Sequence, residues 1–402
     1  MNKLKNSNRI FILPIIVALV FGLIIMPAIM PIIKVDPKDV PIGLVVTDEG
    51  DIGTTLAEEL PKNAPDIVKF IQYDSMKDLK VAMDEREVYG ALELPSDFSS
   101  KVATLQTDSP QKATVNIYIN EGANMSAATL TETVLTNMVA MLNKQLSTQM
   151  LTAVEDQTEQ MKEQLEPVLQ AQEDGSPLAE IGDLISPIQP SKVQDFANPI
   201  VLEVIKVHET GDLGNAPTAF LTITWIVSLI GAVMLYLAGT DRTFRSKAEK
   251  MKFNTIQSVM PFVYALATGY VATWYSTWIL GFEFESFNRI ALYIAICIAA
   301  FTFMIFATLR WLKLPSIAIF MVLMFFSMAA VQMPAEMMPA FYRDYIFSWL
   351  PLRIYADGLK EVLFFSKDLI NSYSSILIWI LIIGLVLVWI KNIIEKTHEQ
   401  ET

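Results

Sequence analysis

The chain has 402 residues, 52% of them hydrophobic, and a mean hydropathy of +0.39, too apolar for an ordinary soluble protein. Its net charge of −13 is uneven: Lys34–Thr218 holds 13 basic and 31 acidic residues, and the remainder is net basic. So acidic a stretch gives no support to a nucleic-acid or anionic-lipid partner. It reads as a solvated surface, with attraction of a cationic substrate as the lesser reading. The single cysteine, Cys297, excludes an internal disulfide, and the two histidines, His208 and His398, are too far apart to suggest a metal cluster.

In chain order, Ile10–Ile33 is the first apolar run able to cross roughly 30 Å of hydrocarbon. It follows Lys3, Lys5 and Arg9, as a signal peptide would, but it is long for one and no A-x-A site follows. An uncleaved anchor is expected. Pro14, Pro27 and Pro31 predict a kink, or an end near its far side.

Residues 34–218 form an insert long enough for its own core. Pro41–Thr47 (PIGLVVT) reads as a buried strand, Asp48-Glu49-Gly50 as a turn, and Thr54–Leu60 as a helix. Ile67–Tyr73 predicts a second strand, Met76–Asp84 a second helix, and Tyr89–Leu94 and Ala113–Ile119 further strands. The alternation points to a small α/β domain. Asp48, Glu49 and Asp51 lack the spacing of a calcium loop and read as a strand-end turn with a helix N-cap. Leu135, Met138, Leu142, Leu146, Met150, Val154, Met161 and Leu165 form one apolar stripe and predict a long helix over Asn124–Glu166. The stripe packs either on its own domain or on a partner helix from a second copy. Gly175, Pro177, Pro187, Pro190 and Pro199 mark an irregular stretch, and Ile200–Val207 alternates like a returning strand.

Five further spans are expected at Ala219–Ala238, Val259–Leu280, Ile290–Ala307, Pro315–Gln332 and Ser374–Ile390. The expected fold is an α-helical multi-pass membrane protein with six spans and an extracytoplasmic α/β domain carrying a long amphipathic helix. Its divisions are residues 1–33, 34–218 and 219–402. Short-loop cations fix the orientation. Arg242, Arg245, Lys247, Lys250 and Lys252 follow the second span, Arg310 and Lys313 the fourth, and Lys391 and Lys396 the last. All fall on the side of the N-terminus, which places both termini in the cytoplasm and residues 34–218 outside. The first five cations read either as topology anchors or as a short coupling helix for a cytoplasmic partner. Met333–Phe364 carries Trp349, Pro351, Arg353, Asp357 and Lys360 and is too broken by prolines to span; it predicts an outer, re-entrant or interfacial segment.

No G-x-x-x-x-G-K-[ST], G-x-S-x-G, H-E-x-x-H or CxxC occurs, so no catalytic, cofactor or metal residue is nominated. The apolar spans lack the central charges of ion-coupled transport and fit a hydrophobic or amphipathic substrate better.

One span, a large outer domain and five more spans resemble the permease subunits of type-2 ATP-binding-cassette exporters, and within them the phage infection protein family (YhgE/Pip-like). Three stretches carry the resemblance: Tyr89–Ser99 (YGALELPSDFS), Ala219–Met234 with Trp225, and Met333–Phe364 with Leu350-Pro351, Tyr355, Gly358 and Leu359. The resemblance implies an exporter permease in a bacterial, Gram-positive cell membrane. It would act as a homodimer with a separate ATPase and move a hydrophobic, amphipathic or peptide-like substrate outward. The loop Gly239–Lys252 lacks the Glu-Arg-Glu-x-Gly-Thr element of many such permeases. That departure keeps a second reading open, a non-transporting scaffold or receptor for a secretion machine or a phage.

Overall fold

The computed structural model describes residues 13–105, 107, 110–170, 197–240 and 242–394. The described chain is mostly helical, with one five-stranded sheet. It divides into two compact units. One is Asp39–Ala123 with Ala127–Val207; the other is the chain up to Lys38, the three residues Asn124–Ser126, and everything from His208. The sheet unit is therefore narrower than residues 34–218. Gly175, Pro177, Pro187, Pro190 and His398 lie outside the described residues. The first helix, α1 (Leu13–Ile33), continues through Pro27 and Pro31.

The sheet unit runs β1 (Val40–Val46), α2 (Asp51–Lys62), β2 (Val68–Gln72), α3 (Met76–Asp84), β3 (Gly90–Leu94), α4 (Phe98–Thr104), β4 (Ala113–Asn120), α5 (Met125–Gln170) and β5 (Ile200–Val207). The strand order is β2-β1-β3-β4-β5. β1 is parallel to β2 and β3, β3 is antiparallel to β4, and β4 is parallel to β5. Right-handed crossovers running outward through α2 and back through α3 put these helices on opposite faces. Leu79, Ala82 and Met83 of α3 pack with Val45 and Ala91 on one face. Thr131 of α5 lies over Gly90 on the other. Asn143 of α5 accepts from the Ile200 backbone N–H at 2.9 Å, which ties the long helix to the start of β5.

β1 and β3 are parallel neighbours, so α2 and α4 start side by side at one sheet edge, and each supplies the other's missing cap. Asp48 is 4% exposed. Its carboxylate accepts from the Ser99 backbone N–H at 3.0 Å in the first turn of α4, and from the Ser99 hydroxyl. Ser99 Oγ in turn accepts from the Gly53 N–H of α2 at 3.1 Å. Orphan amides of two helix starts are thereby satisfied. This corrects the expected local cap: α2 begins after Gly50 with no side-chain cap bond, and Asp48 serves the later helix instead. The close approach requires glycine at 53, because a Cβ there would lie 2.1 Å from Asp48 Oδ2.

The helical unit comprises α1, α6 (Ala216–Gly239), α7 (Lys247–Ile279), α8 (Phe287–Leu312), α9 (Ile317–Gln332), α10 (Ala340–Tyr345), α11 (Pro351–Phe364) and α12 (Ser372–Ile394). Among the described residues, four stretches are long and apolar enough to cross a membrane: Gly211–Gly239, Phe287–Leu312, Leu314–Gln332 and Ser372–Ile394. α8 is the centre. It packs on α6, α7, α9, α11 and α12, and most of its length is buried. α9 packs on α1. Trp225 of α6 anchors the core edge-on to Phe301, at 5.4 Å between ring centroids. The expected third span, Val259–Leu280, falls on α7 except for its last residue; α7 starts twelve residues before Val259, has no break between Lys252 and the apolar run, and is not among those four stretches.

Asp48→Ala strands the Ser99 amide and hydroxyl, and it should lower the stability of the sheet unit by about 1.5–3 kcal/mol. Hydrogen exchange read by mass spectrometry checks this: the amides of Gly53 and Ser99 should exchange faster, while those of β4 keep their protection longer. Gly53→Ala should loosen the same two helix starts by steric clash.

Candidate functional site

Within the helical unit, α6, α8 and α12 end where α7 and α9 begin, and the cations gather at that end. Ser246 caps α7, its hydroxyl accepting from the Glu249 N–H at 3.2 Å, while the Glu249 carboxylate accepts from the Arg245 N–H at 2.9 Å. Such a pairing fixes the entry of the chain into the helix. Lys247, Lys250 and Lys252 therefore sit on the opening turns of α7, not on a separate short helix. The Arg242 guanidinium lies over the Phe253 ring at 4.5 Å and the Phe244 ring at 5.8 Å, contacts worth about 0.5–1 kcal/mol each at exposed sites. Arg242, Arg245, Lys247 and Lys252 are exposed.

Beneath this surface lies a polar layer that sequence reasoning missed. Gln257 is 3% exposed and donates to the Leu235 carbonyl at 2.7 Å. Arg310 donates to Asn392 Oδ1 at 2.8 Å, and Asn392 is 6% exposed. Gly239 is the meeting point: a Cβ there would lie 3.1 Å from Gln257, 3.5 Å from Arg310 and 3.6 Å from Phe253. The ends of α6, α7, α8 and α12 are thus pinned together directly under Arg242. Lys391 lies over Trp311 at 5.1 Å. Arg310 and Asn392 stand 82 positions apart, so no local pattern could have paired them.

The opposite end of the unit carries exposed aromatic rings. Trp274 stacks on Trp278 at 6.1 Å, with Tyr275 edge-on to Trp278 at 5.9 Å. Met333–Phe364 lies at this end as a 3₁₀ turn at Ala335–Met337, then α10, a second turn at Phe347–Trp349, and α11. The backbone N–H groups of Asp36 and Lys38 donate to Met337 and Glu336, and Asn124 and Ser126 donate to the Gln332 carbonyl. Trp349 is 55% exposed, and Pro351 opens α11, where its missing N–H costs nothing.

α11 brings Arg353, Asp357 and Lys360 into one cluster. Asp357 stands 3.2 Å from Arg353 and 3.8 Å from Lys360, and Arg353 lies over Phe347 at 4.6 Å. Lys360 is only 7% exposed. The helix is held to the core through its neighbour on the other face: Tyr293 donates to the Tyr355 carbonyl at 2.8 Å, and Tyr355 donates to the Pro217 carbonyl at 3.2 Å.

In the sheet unit the stripe of α5 is unevenly buried. Leu135 and Met150 are buried, and Met138, Leu142 and Leu146 are half-buried. The Leu135 end packs in its own unit, and Met141 beside the stripe is 72% exposed. In the same unit Glu93 accepts from Asn116 and Tyr118 across β3 and β4, at 2.9 and 2.8 Å. Burial, reinforced by that carboxylate, raises the Tyr118 phenol above its ordinary pKa.

Asp357→Ala removes the carboxylate that faces Arg353 and Lys360 and should destabilise the helical unit by about 1.5–3 kcal/mol. A thermal melt in detergent checks this, and Asp357→Glu should recover most of the loss.

Residues 9–390 match the family described as ABC-2 family transporter protein. Neither the curated proteins nor the solved structures contain a match to this chain. The permeases of this family are membrane-embedded transport subunits, not catalytic ones, and normally work with a separate ATPase. With nearly its whole length inside that match, the chain belongs to the ABC-2 transporter family as a membrane permease subunit of an ATP-binding-cassette exporter.

Proposed function

We propose that the protein exports a hydrophobic, amphipathic or peptide-like substrate across a bacterial cell membrane, as a homodimer driven by a separate ATPase. In this reading α1 and α7 join the four span-class helices to make six spans. Both termini and the basic end face the cytoplasm, and the acidic sheet unit lies outside. One observation supports the orientation: Arg242, Arg245, Lys247, Lys252 and Lys391 collect at one end of the helices, the distribution expected of a cytoplasmic boundary.

The observation that carries the reading is the build of the basic end. Arg242 and Arg245 stand exposed just before, and Lys247 at, a capped helix start that is bonded to α6 through Gln257, and Gly239 of α6 lies close to both Gln257 and Arg310 of α8. A push on this surface would reach the central helix through packed and hydrogen-bonded side chains, the requirement for coupling an ATPase to a membrane path. Arg353, Asp357 and Lys360 would then lie beside the outer mouth of that path. The phage infection protein branch remains the closer assignment suggested by Tyr89–Ser99.

A scaffold or receptor is the second reading. It is favoured by the missing Glu-Arg-Glu-x-Gly-Thr element and by the 46-residue length of α5, part of whose surface is exposed. Recovery from native membranes in mild detergent, followed by mass spectrometry, separates the two: export requires a stoichiometric ATP-binding-cassette ATPase. Charge reversal at Arg242, Arg245 and Lys247 should abolish that recovery while membrane insertion stays normal. An ATPase that still co-purifies with the triple variant would reject this surface as the docking site.

A further inference from the structure

Between α2 and α5, inside the sheet unit, lies a groove of about 330 Å³, at the small end of the roughly 300–1,000 Å³ of ligand pockets. Leu56 and Leu60 form one wall, and Met138 and Leu142 the other. Leu56 and Leu60 are 8% and 4% exposed, so the floor is apolar. Glu59 sits on the rim, and no basic side chain lines the groove among the described residues. Met141 stands at the edge, 72% exposed. Its flexible thioether can fold over whatever enters, as methionines do at adaptable binding surfaces.

We propose that this groove binds the apolar chain of a cationic amphipath, with the ammonium group of the ligand held at Glu59. Three features select that class. Leu56, Leu60, Met138, Met141 and Leu142 offer dispersion contact, with Asn63 and Gln145 as the neutral polar partners, which suits an aliphatic or aromatic segment with a polar end. The rim offers a carboxylate without a lining cation, which selects a positive head group over a negative one. The sequence stretch 34–218 to which the groove belongs carries 31 acidic against 13 basic side chains, a net charge that favours cations over anions. The inference agrees with an amphipathic cargo, but it stands on the groove alone and needs no ATPase.

The test uses the full chain in nanodiscs of zwitterionic phosphatidylcholine and three photoreactive probes with one alkyl chain. The first ends in an amine, the second in a hydroxyl, the third in a carboxylate. The amine should label peptides within residues 51–63 and 130–145 about two- to five-fold more than the hydroxyl, the scale of an exposed ion pair, and the carboxylate least. Glu59→Gln, an exposed substitution that leaves the walls untouched, should bring the amine down to the hydroxyl. Met138→Trp, which fills the groove, should reduce all three. Equal labelling by the three probes, an unchanged amine preference in Glu59→Gln, or labelling confined to the apolar helices would overturn the proposal. So would cross-links joining two copies of the chain through these peptides, which would make the groove an interface. Failure here leaves the ATPase recovery experiment unaffected, and failure there leaves this groove intact.

Discussion

The structure depends on the enclosure of α8. A helix surrounded on all sides must be apolar on all sides and must satisfy its own backbone, and Phe287–Leu312 does both. Its neighbours approach through small residues. A Cβ on Gly269 of α7 would lie 2.8 Å from the Ala291 carbonyl oxygen, and one on Gly384 of α12 would lie 2.9 Å from the Phe303 backbone. Close contact of this kind is what packs helices where no water is available to drive them together. Large rings then fill the wider gaps, Trp225 against Phe301 and Phe320. Because α8 touches five other helices, the ends of those helices are fixed relative to one another, and polar groups can be built on them.

Two such constructions follow. At the basic end, Gln257, Arg310 and Asn392 make a polar layer under Arg242 and Phe253. At the aromatic end, Tyr293 of α8 holds α11 through the Tyr355 carbonyl, and α11 carries the Arg353, Asp357 and Lys360 cluster. α8 therefore contributes a side chain to each end. A membrane protein that must link an event on one side to an event on the other needs such a rigid connecting element, and α8 has the burial for it.

The sheet unit solves a different problem. It has no disulfide, and its two helix starts at the β1 and β3 edge lack local caps of their own. Asp48 and Ser99 bind these starts together, a long-range bond across 51 positions that replaces two short-range ones. α5, a helix of 46 residues, covers one sheet face with its first part and then runs on. Its apolar stripe is buried at Leu135 and again at Met150, and half-buried between them at Met138, Leu142 and Leu146. The groove beside α2 opens where that stripe stops being fully covered.

The sequence by itself determined the elements. Met76–Asp84 and Ile200–Val207 appear with the predicted bounds, and the strands of the sheet lie within a residue or two of theirs. Local periodicity, apolar runs and turn residues are nearest-neighbour properties, so they are legible without a fold. The same holds for the cations that mark one end of the helices. The tertiary structure alone decided what meets what. Asp48 looked like the cap of the helix that follows it and caps another, because two parallel strands place distant helix starts side by side. Lys247–Lys252 looked like a loop and forms the opening turns of α7, because Ser246 and Glu249 start the helix twelve residues before the apolar run. Arg310 and Asn392, like the two walls of the groove, come from opposite ends of long intervals. Their pairing depends on packing around α8 and around the sheet, and no local signal in the chain encodes it.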